Sequence, residues 1–307
     1  MNSTSSCLSG WLLGNALLLR ATLAGEVTQE SREPVPEVAP IPGVFNTELP
    51  PLVLPESLRL TLRPHFGDFI NHDYFRLTLG ARYGLTPQWE LSGDVDAYIA
   101  HGLGDVRVGE ELGVSKIRLG VKYRFTDFLL PYWEAVAGLK YSFPVGNPPE
   151  ELTNGLHHLT PYMTLAHKWE SRPDFTSFVS YGVDIVTRTY AVDTIEDGQI
   201  NASHWFITPG VVWQRGAFNY SLEAVLSSTV GLDSREEYRV TVRPGVKWTL
   251  PPRLTFHSRS RWIIGVSVHA DYGSDGTNIG ASLRLQTDFD FRRLFKGRPR
   301  PDVDTAK

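Results

Sequence analysis

The sequence predicts an all-β chain: a transmembrane, antiparallel, up-and-down β-barrel of about twelve strands. Three observations predict it. Segment after segment alternates apolar and polar residues with period two, as strand side chains do when they face opposite ways in turn. The apolar parity is larger than a soluble barrel could hide, because small barrels are already filled at about eight strands. The connections alternate between short and long, the loop asymmetry of barrels that cross an outer membrane.

The elements follow in order. SLRLTLRPHF (57–66) sets Leu58, Leu60 and Leu62 against Arg59, Thr61 and Arg63. FRLTLGARYGL (75–85) sets Phe75, Leu77, Leu79 and Ala81 against Arg76, Thr78, Gly80 and Arg82. WELSGDVDAYIA (89–100) is the third strand, with Glu90, Asp94 and Asp96 on its polar parity. SKIRLGVKYRF (115–125) is the fourth; Ile117, Leu119, Val121, Tyr123 and Phe125 oppose Lys116, Arg118, Gly120, Lys122 and Arg124. Strands five to seven are expected at 129–145, 158–169 and 175–190. Strands eight to twelve are expected at 204–214, 218–230, 238–250, 254–271 and 278–291. Each is near or above the ~9–11 residues that a tilted strand needs to cross a bilayer.

Residues 86–88, 126–128, 171–174, 215–217 and 251–253 read as short turns, and 101–114, 146–156, 191–203, 231–237 and 272–277 as longer segments. With an even strand number both termini fall at the short-turn end, the periplasmic side. Pro131, Pro161, Pro209 and Pro244 lie inside expected strands and cannot donate a ladder hydrogen bond, so bulges or locally broken pairing should surround them.

The flanks read differently. Residues 1–24 resemble a secretory signal peptide, with an apolar core ending at small residues, although Arg20 interrupts it. The lone cysteine, Cys7, lies inside that leader, so the mature chain would have no thiol for disulfides, zinc or nucleophilic catalysis. Residues 25–56 are proline-rich and acidic and are expected to be an extended, poorly ordered periplasmic segment; 292–307 form a polar periplasmic tail. The net charge of −4 gives no polycationic footprint for nucleic acid. No run approaches the ~18 apolar residues of a spanning helix.

Aromatic placement settles which face meets lipid. Trp89, Trp169, Trp213 and Trp248 sit within a few residues of short turns, joined by Phe125, Phe128, Phe175, Phe218 and Phe256. Phe66, Tyr74, Phe143, Tyr190, Trp205 and Tyr238 stand at the long-loop ends. Two bands of amphipathic rings are what two membrane–water interfaces select. The chain would then meet lipid bilayer and lipopolysaccharide in a bacterial outer membrane. Its last strand, IGASLRLQTDFDF, resembles the C-terminal strand recognised by outer-membrane assembly machinery, although sixteen residues follow Phe291.

LGARYGLTPQWELSGDV, IRLGVKYRFTD and TPGVVWQRGAFNYSLEA are strand–turn units of one style. On these, the region from about 57 to 291 resembles bacterial outer-membrane barrels of the "meta-pathway of phenol degradation" transporter family. The resemblance implies a barrel with a loosely assigned transport role and names no substrate.

The inward parity carries the chemistry. Arg239, Arg243, Lys247, Arg259, Arg261, Arg284, Arg59 and Arg63 are expected to line a basic solute path where strands ten to twelve meet strand one. Arg76, Arg82, Glu90, Asp94, Asp96, Arg118, Lys122 and Arg124 are expected to form cross-strand ion pairs that brace the lumen. Fewer acids neighbour strands ten and eleven, so surplus positive charge is expected there, and with it a bias towards anions such as aromatic acids or acidic sugars. No enzyme, cofactor or metal is expected. His257 and Ser258 are adjacent, so they face opposite ways, and no G-x-S-x-G signal occurs. His157, His158, His167 and His269 show no ligand spacing. The acidic loops, among them Glu110 and Glu111, read as solvated surface, with bridging of lipopolysaccharide phosphates through divalent cations as the sharper alternative. Passage of small solutes is the leading functional reading. A plugged structural or interaction barrel without transport activity is the alternative, and a soluble periplasmic β-protein the third.

Overall fold

A computed structural model describes residues 44–65, 74–101, 107, 111–125, 128, 131–146, 148, 156–187, 203–229, 238–255, 260–273 and 276–290. The described residues form twelve strands: β1 (Ser57–His65), β2 (Tyr74–Gly84), β3 (Trp89–Ala100), β4 (Leu112–Phe125), β5 (Trp133–Pro144) and β6 (His157–Trp169). The circuit continues through β7 (Arg172–Thr187), β8 (His204–Arg215), β9 (Phe218–Thr229), β10 (Tyr238–Thr249), β11 (Arg261–Gly273) and β12 (Gly276–Asp290). Each strand pairs antiparallel with its chain neighbours, and β1 pairs with β12 to close the barrel. Closure removes every free sheet edge, the condition for a sheet to stand in lipid.

The barrel is polar inside and greasy outside. Thr78, Thr164, Ser267 and even Glu223 are buried, whereas Leu79, Leu119, Leu222 and Val266 are each about half exposed (50, 52, 47 and 47%). In water this inversion would leave a large apolar surface unpaid. It is the arrangement of a wall whose outer solvent is hydrocarbon. At the short-turn end the outer rings run together: Trp89 on Tyr123 on Phe125, Trp169 on Phe175, and Trp248 on Phe218 on Tyr220 on Trp213. Trp205 stands exposed at the opposite end. Tyr74, expected in the outer band, instead points inward: it packs edge-on against Tyr98 and donates its hydroxyl to Glu111. Its even number puts it on the parity of Arg76 and Arg82.

The prolines resolve as local breaks rather than bulges. Pro161 keeps its register with Leu139 of β5, but the β6–β7 ladder skips from Leu159 to Tyr162. Pro209 and Pro244 do the same on the β8–β9 and β10–β11 sides. Each proline thus turns its missing donor to one neighbour and stays paired with the other. Pro131 lies in a turn ahead of β5, not in the strand. Among the described residues the register shifts at two places away from these prolines, between Asp96 and Ala97, where Ser115 donates to the Asp96 carbonyl, and between Lys168 and Trp169.

Two connections depart from expectation. β10 ends at Thr249 and β11 begins at Arg261, with a short 3₁₀ turn (Pro252–Thr255) between them, so residues 254, 255 and 260, expected in the strand, are not part of it. Pro251 and Pro252 explain this, since neither can donate to a ladder. The β11–β12 connection is a hairpin of only 274–275, because both strands extend further than their alternation suggests. Residues 1–43 and 291–307, and with them the leader and C-terminal tail, lie outside the described residues, as do most residues of the long loops and Arg259, Phe66, Tyr190 and Phe256.

The largest departure is the segment before β1. Residues 44–56, expected to be poorly ordered, cross the lumen as a strap. Val44, Phe45, Leu49 and Val53 are 2–5% exposed. A proline-rich stretch without periodicity gives no strand or helix signal, yet its apolar residues find partners on the inner wall.

Candidate functional site: the strapped lumen

The strap begins at the short-turn end. Pro55 bridges Gly84, and Glu56 N–H donates to the Gly84 carbonyl at 2.7 Å. Gly84 is required there, because a Cβ would stand 2.3 Å from the Leu54 carbonyl oxygen. Val53 N–H then donates to Glu90 at 2.7 Å. Further along, Leu49 and Val44 pack with Ala166, Phe178 and Val212, small or apolar inward residues of β6, β7 and β8.

The strap is fixed at its other end by Glu223 of β9. Its carboxylate accepts the N–H groups of Phe45 (2.9 Å), Asn46 (3.2 Å) and Thr47 (3.0 Å), and the Thr47 hydroxyl at 2.9 Å. Three successive amides around one anion make a backbone nest. Arg284 of β12 donates to the Val44 carbonyl at 2.8 Å and also to that of Phe45. The Phe45 ring fills the space left by Gly245 and Gly265, where a Cβ on Gly245 would lie 2.4 Å from the ring. Lys247 and Arg284 sit over that ring at 5.2 and 5.3 Å, within cation–π range.

Midway, Glu48 projects towards the basic wall. Lys140, Lys122 and Arg82 approach its carboxylate at 3.3, 3.4 and 3.6 Å. Burial by itself would raise its pKa, but these three cations and Arg284 outweigh that and hold the carboxyl well below the usual range.

On β2–β4 the acids of β3 face bases of the two neighbouring strands. Glu90 meets Lys122 at 3.1 Å and Asp94 meets Arg82 at 3.0 Å, while Arg118 reaches Asp96 at 2.6 Å. Arg63 joins Asp94 at 3.5 Å, and Arg124 pairs with Glu134 of β5 at 3.2 Å. Arg76 is engaged in its own contacts. The residues expected to line a basic path divide. Arg59 is neutralised by Asp288 at 2.7 Å, and Arg261, in register with Asp288, donates to Thr249. Arg243 lies opposite Glu223 in the ladder, and Arg239 is engaged near the long-loop rim. Lys247 is 3% exposed with no hydrogen-bond partner for its ammonium among the described residues. Arg284 and Lys247 therefore hold the strap. Glu223, Glu48 and Lys140 are the site residues that sequence reasoning missed. Their signal is visible only once the strap is placed, because their partners lie far away in the chain.

Two cavities flank the strap. One, of about 180 Å³, is bounded by the strap and by Arg59, Arg63, Arg82, Arg118, Lys122, Lys140 and Arg284, against which stand only three acids, Glu48, Glu90 and Asp94. The other, of about 230 Å³, is lined by Thr160, Tyr162, Ser180, His204, Phe206 and Thr208 together with Asn46, Thr47, Glu48 and Lys140.

Closed strands, an apolar outer wall and a polar, charged interior define an outer-membrane β-barrel of porin-like form. No family model and no curated protein matches the chain. Among solved structures, an outer-membrane channel from Pseudomonas putida F1 aligns over 80% of this chain and 99% of its own, with 11% identity and a TM-score of 0.53. The KdgM porin aligns over 76% and 98% with 10% identity and a TM-score of 0.43, and the CymD monoaromatic hydrocarbon channel over 77% and 89% with 9% and 0.40. The chain thus has the fold of twelve-stranded outer-membrane barrels.

Proposed function

We propose that this barrel passes small solutes across the outer membrane, with a bias towards anions, by a route that the strap narrows. The observation that carries the reading is the charge around the first cavity: seven cationic side chains against three lining carboxylates, and still an excess when Asp288 and Asp96, which pair with Arg59 and Arg118 from outside the lining, are counted. Several are paired, yet the surplus raises the local concentration of anions relative to cations. In this reading the short-turn end faces the periplasm, the assembly machinery inserts the barrel, and the acidic loops meet lipopolysaccharide. Swelling of proteoliposomes tests it. Small monocarboxylates should enter faster than neutral solutes of equal size, and equal rates would remove the bias.

The strap favours a second reading, a sealed barrel that serves envelope integrity. Four hydrogen bonds onto one buried carboxylate fix it firmly. Proteoliposomes that do not swell with any small solute would select this alternative.

A further inference from the structure

We infer that the Glu48 carboxylate occupies a carboxylate-binding site of the barrel wall, and that a passing solute carboxylate takes the same three cations in its place. The inference rests on the anion-passage reading above and gives it a binding site and a ligand class.

Glu48 belongs to the strap, not the wall. The cations around it come from three strands, Arg82 from β2, Lys122 from β4 and Lys140 from β5, all within 3.3–3.6 Å of its carboxylate oxygens. Arg82 and Lys122 also have wall partners, Asp94 and Glu90. Lys140 differs. In the ladders it stands opposite Gly120 of β4 and Thr160 of β6, neither of which can neutralise it. Its other neighbour is the Tyr162 ring, 5.0 Å below the ammonium. A wall built only for bracing would place an acid opposite this lysine, as β3 does for Lys122 and Arg118. Among the described residues the wall gives Lys140 no acid within ion-pair distance, Asp94 acting on it only from further away, and a carboxylate from within the lumen completes the position.

The cavities show where that position lies. Both are bounded by Asn46, Thr47, Glu48 and Lys140, so the Glu48–Lys140 pair is part of the partition between them. One side offers further guanidinium groups; the other offers hydroxyls and the Tyr162 and Phe206 rings. A carboxylate moving between the two must exchange with Glu48 at these cations. The strap is then a tethered pseudo-ligand, and competition by solute opens the partition.

The test uses the full chain in planar bilayers, with acetate as probe. Glu48→Ala should raise the unit conductance in potassium chloride by at least about twofold, since it removes both the partition and a negative charge from the route. Millimolar acetate should then reduce the chloride current of this variant saturably. Adding Lys140→Gln should abolish that block while the raised conductance persists. Unchanged conductance in Glu48→Ala, or equal acetate effects with and without Lys140→Gln, would overturn the site. Either result leaves intact any anion preference of the unaltered barrel. Conversely, an unaltered barrel without anion preference, beside an intact acetate block in Glu48→Ala, would fail the passage reading and keep the site. Glu48→Gln, which keeps the side-chain volume, should give the same acetate block if the alanine variant inserts poorly. Its failure to do so would also count against the site.

Discussion

The Glu223 carboxylate and the Thr47 amide are joined by a 3.0 Å hydrogen bond although 176 residues separate them. That contact, with its three companions, turns a proline-rich leader to β1 into part of the lumen. Hydrogen bonds to a charged acceptor are worth roughly 1.5–3 kcal/mol each. Glu223→Ala should therefore unseat the strap by at least about 3 kcal/mol, even after water has replaced some of the bonds. Limited proteolysis in detergent checks this: cleavage between residues 44 and 56 should accelerate while the barrel core stays resistant.

The seat of Phe45 gives an independent handle. A Cβ at Gly245 would stand 2.4 Å from the Phe45 ring, so Gly245→Ala cannot be accommodated with the ring in place. This change should mimic Phe45→Ala in the same proteolysis assay, and combining the two should add little, because both empty one contact.

Acid should loosen the strap at Glu48. Burial opposes its ionisation, but Lys140, Lys122, Arg82 and Arg284 around it depress its pKa well below the ordinary 4.5. A depressed carboxylate contributes stability that is fully present above the unfolded value and is lost as pH falls through the folded value. Glu48 should therefore hold the strap unchanged from neutral pH down to about 4.5 and release it only below that. Proteolysis with an acid-active protease should show this acid-induced release in the native chain. The Glu48-dependent part of it should vanish in Glu48→Gln.

Asp94 is the common partner of Arg63, Arg82 and Arg118. Asp94→Ala leaves three guanidinium groups without it, a loss of about 3 kcal/mol for a largely buried cluster. The variant should unfold at lower denaturant concentration, and where it still inserts its preference for anions should increase.

How much of this was legible in sequence differs by region. All twelve strands follow from period two, and the ladders pair Glu90 with Lys122 and Asp94 with Arg118, as neighbouring strands of opposite charge suggest. Such contacts are local in topology: strands consecutive in the chain are adjacent in the barrel. The strap is the reverse case. Val44, Phe45, Leu49 and Val53 lie among prolines without any period, and their partners sit on β6 to β12 and β2–β3. The excess of positive charge on the inner wall was readable, but its destination was not. Arg284 and Lys247 hold the strap's carbonyls and ring, and Lys140 holds its carboxylate. Residues 254–260 read as strand because their alternation continues that of β11, and alternation does not register the two prolines before them.

The most direct test of the account is the reversal potential of the unaltered, purified chain in a planar bilayer under a potassium chloride gradient. Anion passage through the lumen should give a measurable current whose reversal potential has the sign of chloride preference. A reversal potential at zero or of the potassium sign, or the absence of any current, would contradict it.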